Sequence, residues 1–120
     1  MNRKRFKFEE LQIWQRAMDF AEDLNDIATG FPDKERFNLS SQMLRAVDSV
    51  ALNISEGSIG QSNPELRKFI GYAIRSLAEV VTCLHKARRR DYITEKVFKE
   101  QYEEAFNLMN MTVAFRRNIK

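Results

Sequence analysis

Residues 62–89 read SNPELRKFIGYAIRSLAEVVTCLHKARR and carry the most regular pattern in the sequence. Ser62 is a favourable N-cap, Pro64 suits the first helical turn, and Glu65 completes a capping box. Beyond this start, apolar residues recur at alternating steps of four and three, which is the period of helices in bundles and coiled coils. They are Leu66, Ile70, Ala73, Leu77, Val80, Leu84 and Ala87. The stretch therefore predicts a long amphipathic helix.

Three further segments show the same helical spacing of apolar residues, and turn-forming residues separate them. Helices are predicted over about 9–29 and 39–56. Either Asn38 or Ser40 is expected to cap the second of these, and Thr94 is expected to cap the last helix. The sequence thus contains four amphipathic helices joined by short links.

Four such helices with short links favour antiparallel neighbours. We therefore predict an all-α, up-down-up-down antiparallel four-helix bundle over residues 9–118, preceded by a basic tail at residues 1–8. This topology places the tail, the loop between the second and third helices, and the C-terminus at one pole. The basic residues expected there are Arg3, Lys4, Arg5, Lys7, Arg116, Arg117 and Lys120.

The composition describes one compact domain and does not indicate a function. The chain has 120 residues, of which 43% are hydrophobic and 31% charged, with four glycines and two prolines. This is enough for a single packed core and excludes a multi-domain enzyme. Twenty basic and seventeen acidic residues give a net charge of +3, which permits contact with an acidic partner without requiring one.

Nothing in the sequence predicts export or membrane insertion. The single cysteine, Cys83, has no partner for an intramolecular disulfide, which fits a reducing cytoplasm. Glu9 and Glu10 follow the basic N-terminus at the point where a signal peptide would need an apolar run. We expect a cytoplasmic protein with no membrane partner.

The sequence also lacks a recognisable catalytic, cofactor or metal site. A di-iron bundle needs Glu-x-x-His pairs, and the only histidine, His85, belongs to none. On a helix, His85 and Cys83 point to different faces, so they do not form a nucleophile and its base. The segment at 57–60 lacks the lysine of a phosphate-binding loop. We predict that the protein is not an enzyme and has no cofactor and no metal.

The basic residues of the tail allow two interpretations. Together with Phe6 and Phe8 they could neutralise phosphates and stack on bases, as proteins that bind single strands do. Alternatively, the tail is solvated and Phe8 packs on the start of the first helix as a hydrophobic staple. A second basic run, residues 86–90, is also compatible with simple stabilisation of the negative end of its helix.

The first helix carries more apolar surface than one seam of a monomeric bundle needs. Ile13, Phe20 and Ile27 are seven residues apart and form a second row beside the main apolar stripe, which consists of Leu11, Trp14, Met18 and Ala21. Extra apolar surface of this kind usually marks self-association. We therefore expect this row to be an oligomer interface, the alternative being an unusually wide core.

Several segments carry a family likeness. They are FEELQIWQ at 8–15, Phe31-Pro32 with Glu35, LSSQMLRA at 39–46, SVALNISEG at 49–57 and SLAEV at 76–80. In these segments, and over about residues 8–93, the chain resembles the bacterial four-helix-bundle proteins encoded in intervening sequences of 23S ribosomal RNA genes. The most specific element of the resemblance comprises Ser49, Asn53, Ile54, Glu56 and Gly57.

The resemblance implies a cytoplasmic bacterial protein that forms a homo-pentamer and has no known enzymatic activity. A distant relative with the same pentameric bundle is an accessory to a reverse transcriptase and binds nucleic acid. The loop at 58–61 departs from the family pattern because it is uncharged, which argues against phosphate binding by that loop.

Asn53 and Glu56 have a physical interpretation of their own. An amide and a carboxylate near the end of the second helix can tie down the turn at Gly57 and the start of the third helix. We therefore expect this element to be structural rather than a binding site.

Two functional hypotheses remain. The first is a self-associating bundle that binds RNA or a nucleic-acid-associated protein. The alternative is a protein-facing adaptor or scaffold, such as a reverse-transcriptase accessory subunit.

Overall fold

Four long helices make up most of the protein. The structure, a computed structural model, describes residues 4–60 and 62–120. The α-helices are α1 Gln12–Ala28, α2 Leu39–Ser58, α3 Asn63–Arg89 and α4 Glu95–Arg117, and short 3-10 helices cover Lys7–Glu10 and Asp33–Glu35. The described residues contain no strand, so the predicted all-α fold is confirmed. Within the same residues, no helix is long and apolar enough to cross a membrane.

Two of the predicted helix starts are confirmed. Ser62 Oγ accepts a hydrogen bond from the backbone N–H of Glu65 at 3.3 Å at the start of α3. Thr94 Oγ1 accepts one from the backbone N–H of Val97 at 3.1 Å at the start of α4. Both bonds satisfy a backbone donor that the first turn of a helix leaves unpaired.

The start of α2 is stabilised from outside the helix. Neither Asn38 nor Ser40 provides a side-chain cap. Instead, Glu35 Oε1 accepts hydrogen bonds from the backbone N–H of Leu39 at 3.3 Å and from Asn38 Nδ2 at 3.0 Å. Asn38 is the N-cap residue, as one of the two predictions had it, but its side chain makes no capping bond, and the carboxylate of Glu35 in the preceding link takes that place.

Each helix packs against two neighbours. Both α1 and α3 contact α2 and α4, so α1 and α3 lie on a diagonal of the bundle. Arg16 Nη2 joins α1 to α4 through the two carboxylate oxygens of Glu104, at 2.7 and 2.8 Å. Ser49 Oγ lies 2.8 Å from Ser76 Oγ and joins α2 to α3.

Contacts at the two ends of the bundle agree with the up-down-up-down topology. At one end the link between α1 and α2 meets the link between α3 and α4, because Tyr92 Oη donates a 2.7 Å hydrogen bond to Glu35. At the other end the C-terminus lies on the start of α3, since Arg67 Nη1 donates to the carbonyl of Lys120 at 2.8 Å.

The core corrects the prediction of an oligomer face on α1. Ile13 and Phe20 are only 4% and 1% exposed and belong to the core of their own chain, with Ile27 packed at its edge. Met18, which the sequence pattern assigned to the main stripe, is 42% exposed. The core of α1 therefore takes this row together with Ala21, Leu24 and Ala28, and the row is not an oligomer interface.

Candidate nucleic-acid interface

Cations from both ends of the chain meet at one pole of the bundle. The start of α1 and the end of α4 line a common groove of about 330 Å³. Arg116 Nε donates a 2.9 Å hydrogen bond to the carbonyl of Arg67, which fastens the end of α4 to α3. We call this set the basic pole. Its described members are Lys4, Arg5, Lys7, Arg67, Arg116, Arg117 and Lys120, whereas Arg3 lies outside the described residues.

The charges of the basic pole stay available to a ligand. Arg116 is held by the carbonyl oxygen of Arg67 and has no ion pair with a side-chain carboxylate in the described part of the chain, whereas Arg67 donates to the main-chain oxygens of Ile119 and Lys120. The five other described members of the pole are all exposed. Arg67 was not among the predicted members of the pole, although its place near the start of α3, next to the loop expected there, was a signal for it.

Two aromatic rings extend the basic pole. Phe8 contacts Trp14 edge-on with ring centroids 5.4 Å apart, so the predicted packing of Phe8 on the start of the first helix is confirmed. Phe6 stacks on Phe8 at 5.6 Å, yet it is 64% exposed. An exposed ring beside cations is a surface on which a nucleobase stacks. The predicted boundary between tail and bundle lies between residues 8 and 9, and the 3-10 helix Lys7–Glu10 spans it. Regular structure therefore begins two residues before the predicted boundary.

The second basic run belongs to the folded structure of the opposite pole. Arg90 Nη1 lies 3.1 Å from Glu35 Oε2, and the guanidinium of Arg88 lies over the ring of Phe98 at 4.1 Å. Arg88 also pairs with Glu95 at 3.6 Å. Arg88 and Arg90 therefore provide structural contacts at that pole, whereas Lys86 and Arg89 of the same run are exposed.

Glu35 is the centre of the opposite pole and is only 5% exposed. The pKa of Glu35 is lowered below its ordinary value, chiefly by the hydrogen bond from the Tyr92 hydroxyl. Burial raises this pKa, but the Tyr92 bond and smaller lowering contributions from Leu39, Asn38 and Arg90 together outweigh it. The same hydrogen bond raises the pKa of Tyr92, because a phenolate would face the carboxylate. Sequence analysis cited Glu35 only as part of the family likeness and gave it no role.

The most specific family element is divided between the α2–α3 interface and solvent. Asn53 Nδ2 donates to the carbonyl of Ser49 at 2.8 Å and to Ser49 Oγ at 3.1 Å, and that hydroxyl meets Ser76 across the interface. Ile54 is fully buried. Asn53 therefore bonds within α2, beside the Ser49 hydroxyl that joins α2 to α3, and it does not tie down the turn.

Glu56 and Gly57 differ from the expectation for this element. Glu56 is exposed, and no hydrogen bond or ion pair of its side chain is present among the described residues, so its predicted role in tying down the turn is wrong. Gly57 lies inside α2, where a Cβ atom would meet the Cβ of Phe69 at 2.8 Å. The glycine thus permits close approach of α2 and α3.

The two residues considered for catalysis, Cys83 and His85, are packed among other side chains of the bundle. Cys83 is 5% exposed, and burial raises the pKa of its thiol. His85 packs edge-on against Phe98 at 5.0 Å and Tyr102 at 6.0 Å. In residues 4–60 and 62–120, no group of three His, Cys, Asp or Glu side chains is placed to hold a metal ion.

Two open grooves flank α2. The polar groove, between α2 and α3, measures about 650 Å³ and is lined by Gln42, Arg45, Ala46, Ser49, Glu79, Thr82, Cys83 and Lys86. The apolar groove, between α1 and α2, measures about 270 Å³ and includes Trp14, Met18 and Leu52. Leu52 is 62% exposed, so this groove presents apolar surface to solvent.

The comparisons with known proteins agree with the resemblance noted in the sequence. A family model for 23S rRNA-intervening sequence protein matches residues 9–114, which extends the likeness into α4. A crystal structure of a Bacteroides thetaiotaomicron protein with unknown function, from the S23 ribosomal protein family, is similar with a TM-score of 0.82 at 19% identity. The alignment covers 88% of this chain and 96% of that chain, and at this identity the likeness shows the fold alone. The comparison with curated proteins gave no match.

Proposed function

Because the chain belongs to the family of 23S rRNA-intervening sequence proteins, we propose that it is a non-enzymatic, self-associating cytoplasmic bundle that binds RNA through its basic pole. The observation that carries the proposal is the convergence of cations from the tail, α3 and the C-terminus at one end of the molecule. Phosphate groups gain affinity from such clusters by releasing condensed counterions.

The geometry of the basic pole favours RNA with unpaired bases. Phe6 offers an open aromatic face beside Lys4, Arg5 and Lys7. Stacking of a base on such a ring tolerates any sequence, because every base has a π-face. Contacts between basic side chains and phosphates carry no sequence information by themselves, so we expect little sequence preference. A homo-pentamer, which the family likeness implies, would repeat the pole around one rim.

Filter binding of a single-stranded RNA by the full chain tests this proposal. We expect retention at about 50 mM salt and a steep loss of affinity as salt rises. Deleting residues 1–7 removes four cations and should lower the salt slope by as much as about 3, since each neutralised phosphate of a single strand contributes about 0.7.

A matched control removes the same number of charges at the opposite pole, by Lys34→Gln, Arg36→Gln, Lys96→Gln and Lys99→Gln, and we expect its salt slope to equal that of the parent. RNA binding by the basic pole would be refuted by absence of retention at low salt, or by equal loss of affinity in the deletion and the control.

The apolar groove supports a second candidate function, a protein-facing adaptor or scaffold. Met18 and Leu52 are 42% and 62% exposed on its walls, beside the half-buried Trp14. Exposed apolar surface of this kind is typical of protein contacts. If the full chain retains no RNA, the adaptor becomes the leading function, and a Leu52→Glu variant should then lose its protein partner while keeping the fold.

A further inference from the structure

Acidic side chains dominate the exposed surface of α1. The helix carries four acidic residues, Asp19, Glu22, Asp23 and Asp26, against the single basic residue Arg16. Arg16 is neutralised inside the molecule by Glu104. The four carboxylates recur at steps of three, one and three, which places them on adjoining rows of one helix face. None of them has a hydrogen bond or ion pair to another described residue.

Basic side chains dominate the exposed surface of α3. This helix carries six basic residues, Arg67, Lys68, Arg75, Lys86, Arg88 and Arg89, against Glu65 and Glu79. Lys86 and Arg45 both line the polar groove between α3 and α2, and both are exposed and have no ion pair in the described part of the chain. Glu79 is the single acidic residue of that lining, so the groove keeps an excess of positive charge.

The basic helix α3 lies diagonally across the bundle from α1, although one wall of the polar groove belongs to α2, which packs against α1. Within the described chain, the carboxylates of α1 make no ion pair with Arg45 or Lys86. Both charged surfaces are therefore open to a second copy. Contacts between like surfaces, α1 with α1 or α3 with α3, are disfavoured by charge repulsion.

From this placement we propose that the acidic face of α1 in one copy docks in the polar groove of α2 and α3 in the next copy. The inference rests on the self-association part of the proposed function and identifies its interface. Because the two docking surfaces differ, the contact is heterologous, and repetition of a heterologous contact generates a closed ring or an open chain of copies.

The dimensions of the two surfaces are compatible with this docking. Residues 19–26 span about 10 Å of α1 at 1.5 Å per residue. Arg45 and Lys86 stand on opposite walls of a groove with a volume of about 650 Å³. A helix face laid along the groove thus brings carboxylates to both walls. The exposed Met18 beside these carboxylates adds apolar contact to the charged interface.

Charge reversal on each surface tests the docking in the full chain. The α1 variant is Asp19→Lys with Glu22→Lys, and the groove variant is Arg45→Glu with Lys86→Glu. Each reverses exposed charges only, so the thermal unfolding of both should stay close to that of the parent. In sedimentation velocity at low salt, each variant alone should need about tenfold or more protein to assemble, since like charges then meet at the interface.

Two further samples restore complementarity. An equimolar mixture of the α1 variant and the groove variant should assemble, because each surface then meets one of opposite sign. The chain that carries all four substitutions should assemble by itself. A matched control, Glu100→Lys with Glu103→Lys on α4, changes the same charge outside both surfaces and should assemble as the parent does.

The docking is overturned if the α1 variant assembles like the parent, or if neither the mixture nor the fourfold variant recovers assembly. It is also overturned if the groove variant assembles normally and loses RNA binding, which would make the groove an RNA surface. A parent that stays monomeric refutes self-association altogether, whereas the RNA test of the basic pole is decided independently by the deletion of residues 1–7.

Discussion

Glu35 connects three parts of the chain through one buried carboxylate. It accepts hydrogen bonds from the start of α2, from the Tyr92 hydroxyl and from Arg90. A buried carboxylate is costly unless its oxygens are paired, and here both oxygens are paired. The ionised form of Glu35 is therefore the form that the native structure stabilises.

This assignment predicts an acid-sensitive stability. Because the pKa of Glu35 is lowered from 4.5 in the folded protein, its contribution is present above 4.5 and is lost as the pH falls through the folded-state pKa. A Glu35→Gln variant should be less stable at neutral pH, and its free energy of unfolding should fall less on acidification. Urea unfolding followed by circular dichroism between about pH 7 and about pH 3 measures both effects.

Glu103→Gln is the matched control for Glu35→Gln, because Glu103 is exposed and its side chain makes no hydrogen bond or ion pair with the other described residues. This control should follow the pH dependence of the parent. Identical pH dependence in the parent and in Glu35→Gln would show that the Glu35 contacts contribute nothing to stability.

Asn53 and Glu56 belong to the same family element and differ in their surroundings. Asn53→Ala should lower the free energy of unfolding by about 1 kcal/mol, since it removes hydrogen bonds beside the Ser49–Ser76 contact. Glu56→Ala should stay within about 0.5 kcal/mol of the parent, as is usual for exposed sites. Thermal unfolding of both variants makes the comparison, and equal losses would contradict this difference.

At the scale of the helices, the faces of α1 show how packing chooses between two apolar rows. The row with Leu11, Trp14 and Met18 and the row with Ile13 and Phe20 both have helical spacing. The structure buries Ile13 and Phe20 against the other helices and leaves Met18 exposed. The apolar residues beside the core stripe then form the wall of the apolar groove.

The contact between α2 and α3 depends on Gly57. Gly57→Ala should lower the free energy of unfolding by about 1 to 2 kcal/mol, because the new Cβ lies 2.8 Å from the Cβ of Phe69 and overpacking outweighs the better helix propensity of alanine. Gly71→Ala in α3 is the matched control, since its Cβ would meet only the flexible Arg116 side chain at 3.5 Å.

Gly71→Ala should leave stability unchanged or raise it by up to about 1 kcal/mol, the propensity difference alone. Chemical denaturation of the two variants under one set of conditions compares them directly. If both substitutions change the free energy of unfolding equally, then α2 and α3 can move apart at Gly57 without a loss of stability, and the close contact there does not require glycine.

At the scale of the whole molecule, charge is arranged in three places. The basic pole places cations at one end of the bundle, and exposed carboxylates cover the outer face of α1. The cations of the polar groove lie between α2 and α3. The net charge of the chain is only +3, so it gives no indication of this separation. The two proposals use different parts of it: RNA binding uses the end of the bundle, and self-association uses its sides.

The sequence by itself determined the number of helices, their approximate bounds and the caps at Ser62 and Thr94, because helix periodicity and capping depend on residues within a few positions of one another. Only the tertiary structure decided which row of α1 is buried, which group stabilises the start of α2, and that Glu56 faces solvent. Contacts that are distant in sequence hold the side chains in place: Tyr92, 57 residues from Glu35, binds the carboxylate that stabilises the start of α2, and Glu104, 88 residues from Arg16, joins α4 to α1. A local sequence pattern shows that a helix has an apolar face. Which side chains of that face are buried depends on where the neighbouring helices lie.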